Sequence, residues 1–500
     1  MQNGLEVGAL FDDDFGESIA DLVSRMEPVR PEVVRATCVF QTLRCLASPF
    51  RSKGNRHDYY SLSQPAHRMQ FWSHSWHGSR WSKILTLYVV QNATAASALS
   101  TALAVGPLAL STLRLPSLKM LSFPSFVPFC FVIALVTYGV VSLFWRRRQL
   151  VFMDRICIHQ SNHLLKAEGL ISMGAILKSS DSMLVLWDPT YQERLWCLFE
   201  MAAFLRSRPQ NQEPHLIIWP TVLGPVTAAA SLALVVACGA GYASISLTIA
   251  VGLGSVPFWL LVGASTGLIF FKIADAMRQY CREVESLQHQ LQQFRLDDAL
   301  SYCCTVGHVG PSGEQMLCDR LLVRRCIDNW FGSVDQFERT VRTEVLEILV
   351  NQLSTAVVTY RRVLEAPAAL FWLFLDLTCA AVYGGDMDGS IRQLLRGLAY
   401  WLAVTPTVLV AVYRSANAMR RERKPPCLDR LVSLLLLCFG LGCFLCFVAV
   451  EESLVWLLRD QLQLPISVPG AIFAVLALSS MALAWQGLKP SLEWPTSHFR

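Results

Sequence analysis

The sequence predicts a multi-pass α-helical membrane protein of about eight spans, with a cytosolic α/β parallel-sheet domain and a second helical cytosolic segment. Composition is the first observation: 53% of the residues are hydrophobic, 16% are charged and mean hydropathy is +0.38. A soluble chain carries about 25% charged residues. The second is a series of long apolar runs. The third is an alternation of short buried strands and helices between 146 and 219.

A spanning helix needs about 20 apolar residues, because ~30 Å of hydrocarbon is crossed at ~1.5 Å per residue. Runs at about 84–111, 121–145, 216–240, 244–271, 366–385, 391–413, 428–450 and 466–488 qualify, pairing as hairpins. Arg146, Arg147, Arg148, Lys272, Arg278 and the stretch Arg414–Lys424 flank them on one side. The link Gly384–Ser390 on the other side has acid and glycine but no lysine or arginine. The positive-inside rule places the basic flanks, and with them both termini, in the cytosol. Six or seven spans remain open, since 216–271 holds Pro220, Pro225 and Pro257. The acidic start of the chain gives no signal peptide. Asn92-Ala93-Thr94 matches a glycosylation sequon by chance, inside or beside the first span.

The segments are then 1–67, an N-terminal cytosolic stretch; 68–83, the first strand and helix start of the α/β domain; and 84–145, a membrane hairpin. The remainder of that domain is 146–219, followed by a hairpin at 220–271 and a helical cytosolic segment at 272–365. A third hairpin at 366–413, a basic loop at 414–427, a fourth hairpin at 428–488 and a tail at 489–500 complete the chain.

In the helical segment, Ile273, Met277, Tyr280, Val284, Leu287, Leu291 and Phe294 recur at heptad spacing. A helix packed on its own domain is favoured over a short coiled coil joining two copies. Sixteen cysteines lack the spacing of a secreted disulfide framework. Cys303, Cys304, His308, Cys318 and Cys326 fit no usual pair-wise zinc spacing, so ordinary reduced thiols and no metal are expected. The net charge of +5 gives no ground for nucleic-acid binding.

The α/β reading rests on Leu150–Ile158, Met183–Trp187 and His215–Trp219 as strands. Helices are expected over Leu170–Leu177 and from Pro189 through Ala203. These residues resemble the Toll/interleukin receptor (TIR) domain family. Phe71-Trp72-Ser73-His74-Ser75-Trp76 is similar to its first strand, and Phe152-Met153-Asp154 to its second. Leu184-Val185-Leu186 followed by Asp188, Tyr191, Arg194, Trp196, Cys197 and Glu200 resembles its most specific block. Asp154–Gln160 is also distantly similar to heterokaryon-incompatibility domains. The resemblance covers about 68–83 and 150–219. Two departures stand out: Met69 and Gln70 replace an acidic residue, and two spans lie where the first helix belongs. Ser79–Val90 is therefore expected to serve as that helix and to run on into the first span.

The resemblance implies a signalling domain that assembles with like domains, or an NAD+ glycohydrolase. For the enzyme it implies Glu200 as the catalytic carboxylate, with Trp196, Ser73, His74 and Asp154 as candidate binding residues. A carboxylate on the face shared by positions i and i+4 can stabilise oxocarbenium-like charge as nicotinamide leaves ribose. NAD+ enters as a candidate substrate; no resident cofactor is called for. Expected partners are the lipid bilayer and a second copy, through the TIR-like domain or the 273–294 helix. A transporter or channel is the third class. It is the least favoured, since Asp376, Arg392, Glu451 and Glu452 sit near span ends.

Overall fold

The computed structural model describes residues 18–51, 58–112, 128–208, 215–251, 256–309, 318–356, 359–365 and 368–486. The expected tail at 489–500 lies outside them. The chain is mostly helical, with one small mixed sheet. It divides into a sheet-bearing unit (1–87, 146–223 and 283–356) and a helical unit (88–145, 224–282 and 357–500).

Six strands build the sheet: β1 (Arg35–Cys38), β2 (Gln64–Pro65), β3 (Met69–His74), β4 (Leu150–Phe152), β5 (Ser180–Trp187) and β6 (Leu216–Pro220). Their order is β2-β1-β4-β3-β5-β6. β4, β3, β5 and β6 run parallel, while β1 is antiparallel to β4 and β2. The 68–76 segment therefore lies directly beside the 150–158 segment, as expected, with Gln70 opposite Val151 and Phe71 opposite Phe152. Phe71 and Phe152 stack at 4.9 Å between ring centroids. Every residue of β3 is buried, as are the last six of β5, which is the pattern of a parallel sheet covered on both faces.

Helices fill the connections. The first, α1 (Arg80–Thr112), runs unbroken through the expected Ser79–Val90 helix and the first apolar run. Between β4 and β5 lie α2 (His163–Ile171) and α3 (Met173–Lys178), parted at Ser172 rather than forming one helix over 170–177. Asn162 caps α2 by accepting from Leu165 N–H at 3.1 Å. Gly174 packs so closely on the Val23 carbonyl that a Cβ would clash with it.

Several boundaries differ from expectation. The strand expected over 150–158 stops at Phe152, because Asp154–Cys157 coils into one helical turn. Asp154 accepts from Arg155 N–H at 2.6 Å there, which favours a helix start over a strand. The helix expected from Pro189 begins only at Leu195: α4 (Leu195–Arg206) follows a turn in which Asp188 accepts from Thr190 N–H at 2.9 Å. The strands β1 and β2, at the antiparallel end of the sheet, had no counterpart in the sequence reading.

The segment after 283 completes this unit. Leu300 N–H donates to Glu193 O at 2.7 Å, and Leu195 N–H to Leu300 O at 3.2 Å. Gln352 binds β6 through both ends of its amide, donating to Leu216 O at 2.6 Å and accepting from Ile218 N–H at 2.9 Å. It thereby covers peptide groups that an edge strand leaves open. The seven heptad residues, on and just past α5 (Val256–Gln292), are all at least nine-tenths buried. Their seam is covered by the chain itself.

Five helices among the described residues are long and apolar enough to cross a membrane: Arg80–Ser111, Leu223–Tyr242, Met387–Ala418, Pro426–Gln461 and Ser467–Gln486. Phe129–Phe144 and Ala368–Tyr383, in the expected 121–145 and 366–385 runs, hold 16 residues each. That is about 24 Å of helix, shorter than the ~30 Å core. The expected 244–271 run is only partly described. Within the helical unit, three buried charged side chains have polar partners. Asp376 accepts from Cys130 N–H (2.8 Å), Phe131 N–H (3.0 Å) and Tyr242 O–H (2.8 Å), capping the helix Phe129–Phe144. Glu451 is buried against Arg396 and the Tyr400 hydroxyl. Arg278 is fully buried on Asp429 at 2.6 Å. Asn92 is buried and donates to Ser142 O at 2.8 Å.

Candidate functional site

The carboxyl ends of β3 and β5 carry the candidate site. In open parallel sheets this edge is where ligands bind, at the point where strand order reverses. Counted along the parallel strands in chain order, β3 is first, β4 second and β5 third, so the order 2-1-3-4 reverses between β3 and β5.

Successive residues of a strand point to opposite faces, and this divides the candidates. On one face Ser73 donates to Glu200 Oε2 at 2.6 Å and lies 2.8 Å from the Tyr191 hydroxyl. With one proton per hydroxyl, the consistent chain runs Tyr191 O–H to Ser73 Oγ and Ser73 O–H to Glu200. The carbonyl of Cys197, 3.1 Å away, is a second acceptor for the tyrosine. Glu200 keeps part of its surface open, yet desolvation raises its pKa to about 8, against the lowering effect of the Ser73 hydrogen bond. Burial also raises the Tyr191 phenol well above its ordinary value.

On the other face His74 is buried between Phe50 (5.2 Å) and Trp76 (4.5 Å). Its Nε2 has no hydrogen-bond partner among the described residues, and burial lowers its pKa to about 4. Asp154 accepts from Trp76 Nε1–H at 2.9 Å. Beyond the strand ends, the ammonium of Lys83 is buried 3.4 Å from Asp188 and donates to the carbonyls of Ser75 and Gly78. Gly78 lies so close that a Cβ would collide with the Asp188 carboxylate.

The structure thus brings Ser73 and Glu200 together and places His74 and Asp154 near Trp76. Ser73 and His74 both lie at the carboxyl end of β3, as expected, but the pleat turns them to opposite faces. Trp196 turns elsewhere: its Nε1–H donates to Asp319 Oδ2 at 3.1 Å, and its ring meets Phe199 edge-on at 5.4 Å. It serves packing rather than a ring-binding wall beside Glu200. Neither Lys83 nor Gly78 was singled out from sequence. An i to i+5 pairing of glycine and lysine beyond a strand carries no distinctive signal.

A second group lies closer together than its sequence spacing suggested. Cys303, Cys304, His308 and Cys318 place one ligand atom each within 4.8 Å of one another, although their spacing suggested separate thiols. Cys326, grouped with them in sequence, instead lies against Ala20 O at 3.7 Å.

Compared with models of protein families, with curated proteins and with solved structures, the chain matches none.

Proposed function

We propose that this chain is a membrane-anchored, multi-pass signalling protein of TIR-like type, acting by self-assembly of its cytosolic α/β domain. The observation that carries the reading is the joining of 69–74 to 150–152 and 180–187 in one parallel sheet, although a long apolar stretch separates them in sequence. The 2-1-3-4 order of the parallel strands supports a doubly wound domain of this kind.

Anchoring is supported by apolar residues that face outward. Leu441 is 55% exposed, Val475 62% and Leu483 70%, all on helices long enough to span. Contiguous apolar surface on that scale is not left to water. The basic residues flanking the spans support a cytosolic side for the sheet domain and both termini. The heptad seam is already covered, so assembly rests on the α/β domain rather than on the 273–294 helix. Asp376, Arg278 and Glu451 are each held by hydrogen bonds or an ion pair, which speaks against their lining a transport path. The test is subunit counting by single-molecule photobleaching of the tagged full chain in native-membrane nanodiscs. Clusters of two or more are expected; one bleaching step per particle would end the assembly reading.

The Ser73–Glu200 pair favours a second reading, NAD+ cleavage with Glu200 as the carboxylate. A neutral Glu200 would ionise when a cationic nicotinamide riboside enters, supplying charge where the oxocarbenium develops. Incubating the full chain with NAD+ and following nicotinamide by chromatography decides it. Turnover that Glu200→Ala leaves unchanged would rule out this site.

A further inference from the structure

We propose that Cys303, Cys304, His308 and Cys318 bind one zinc ion in a closed, structural Cys3His site. The argument starts from distance. Cys304 Sγ lies 3.8 Å from Cys303 Sγ, 3.8 Å from Cys318 Sγ and 3.7 Å from His308 Nε2. A tetrahedron with zinc–sulfur bonds of ~2.3 Å has sulfur–sulfur edges of about 3.8 Å, and a sulfur–imidazole edge of about 3.5 Å. The three distances from Cys304 match those edges, and all four ligand atoms lie within 4.8 Å of one another. A disulfide would need ~2.05 Å, and all four groups are free of one.

The surroundings suit thiolates. Asp319 N–H donates to Cys303 Sγ at 3.2 Å, and the Ser301 hydroxyl lies 3.0 Å from the same sulfur. Cys318 is the N-cap of α6 (Asp319–Phe331), one residue before the Asp319 N–H that meets the Cys303 sulfur. Such N–H contacts are the outer shell that metal-bound sulfurs use. His308 is set by a tight turn, with φ of +68° at Gly307 and +62° at His308, closed by His308 N–H to Cys303 O at 2.8 Å.

Three soft sulfurs with one imidazole select zinc over harder cations. Four protein ligands leave no open position for water, which makes the ion structural rather than catalytic. On binding, each coordinating thiol gives its proton to solvent. The ion would join the turn Tyr302–His308 to the start of α6. From α6, Asp319 accepts from Trp196, and Trp330 stacks on Phe199 at 5.0 Å. Zinc thereby braces the outer side of α4, the helix that carries Glu200.

The full chain, purified in detergent under reductant and equilibrated with Zn2+, tests this by elemental analysis after desalting. One equivalent is expected in the parent and in Cys326→Ser, falling below one tenth in Cys304→Ser. Replacement by Co2+ is expected to give the visible bands of a tetrahedral ion with sulfur-to-cobalt charge transfer. Should Cys304→Ser fail to accumulate, the parent's cobalt spectrum decides alone. Less than a tenth of an equivalent in the parent, a cobalt spectrum without tetrahedral bands, or full retention by Cys304→Ser would overturn the proposal.

Discussion

Ser73 on β3 donates to the carboxyl of Glu200 on α4 at 2.6 Å, joining residues 127 positions apart. The bond fixes where the helix sits on the sheet and places an ionisable group at the edge where parallel sheets hold ligands. Its protonation state is therefore the first property to test.

Glu200 has a pKa raised to about 8 from an ordinary 4.5. A raised folded-state value means its stabilising contribution is complete below pH 4.5 and is lost as pH rises through about 8. Glutamine mimics the neutral acid. Glu200→Gln is expected to match the parent at pH 5 and to exceed it at pH 9 by roughly 1–2 kcal/mol, a figure discounted for the residue's partial exposure. Thermal melts by tryptophan fluorescence at the two pH values give the comparison, and an equal gap at both would refute it.

His74 runs the opposite way. Its pKa falls to about 4 from 6.5, so its contribution is present above pH 6.5 and drains away as pH drops through 4. Its neighbours Phe50 and Trp76 are aromatic. His74→Leu should cost less than about 1.5 kcal/mol at pH 7 and melt higher than the parent at pH 4. A variant with the parent's acid sensitivity would show that another group governs it.

At Gly78 the constraint is steric. Any side chain there meets Asp188, whose partner Lys83 is itself buried. Gly78→Ala should part that pair and destabilise by about 3 kcal/mol, the scale for disturbing a buried ion pair. Urea unfolding followed by domain-specific proteolysis measures it; a loss under about 0.5 kcal/mol would mean the loop shifts freely.

Gln352 makes two hydrogen bonds to β6. Gln352→Ala is expected to cost about 1–3 kcal/mol, since each net bond is worth ~0.5–1.5 kcal/mol. It should also speed amide exchange at Ile218, whose N–H loses its acceptor. Unchanged exchange there would place the protection of β6 elsewhere.

Periodicity and composition alone set the apolar runs, the buried strand at 183–187 and the heptad seam, while the strand at 69–74 was legible only through a family resemblance. Each is a property of a contiguous stretch, which burial energy selects residue by residue. What contiguous stretches cannot carry is partnership across long separations. Residues 35–38 became a strand only by pairing antiparallel with β2 and β4, and the strand expected through Ile158 yielded to a helical turn at Asp154–Cys157. Ser73 and His74 were adjacent letters until the pleat sent them to different faces. Cys303, Cys304, His308 and Cys318 had no recognisable spacing, because a turn at Gly307 and the start of α6, not a regular interval, bring them together. Side-chain chemistry was written in the chain; which groups meet was decided by folding, since distance in space is set by packing and only weakly by distance in sequence.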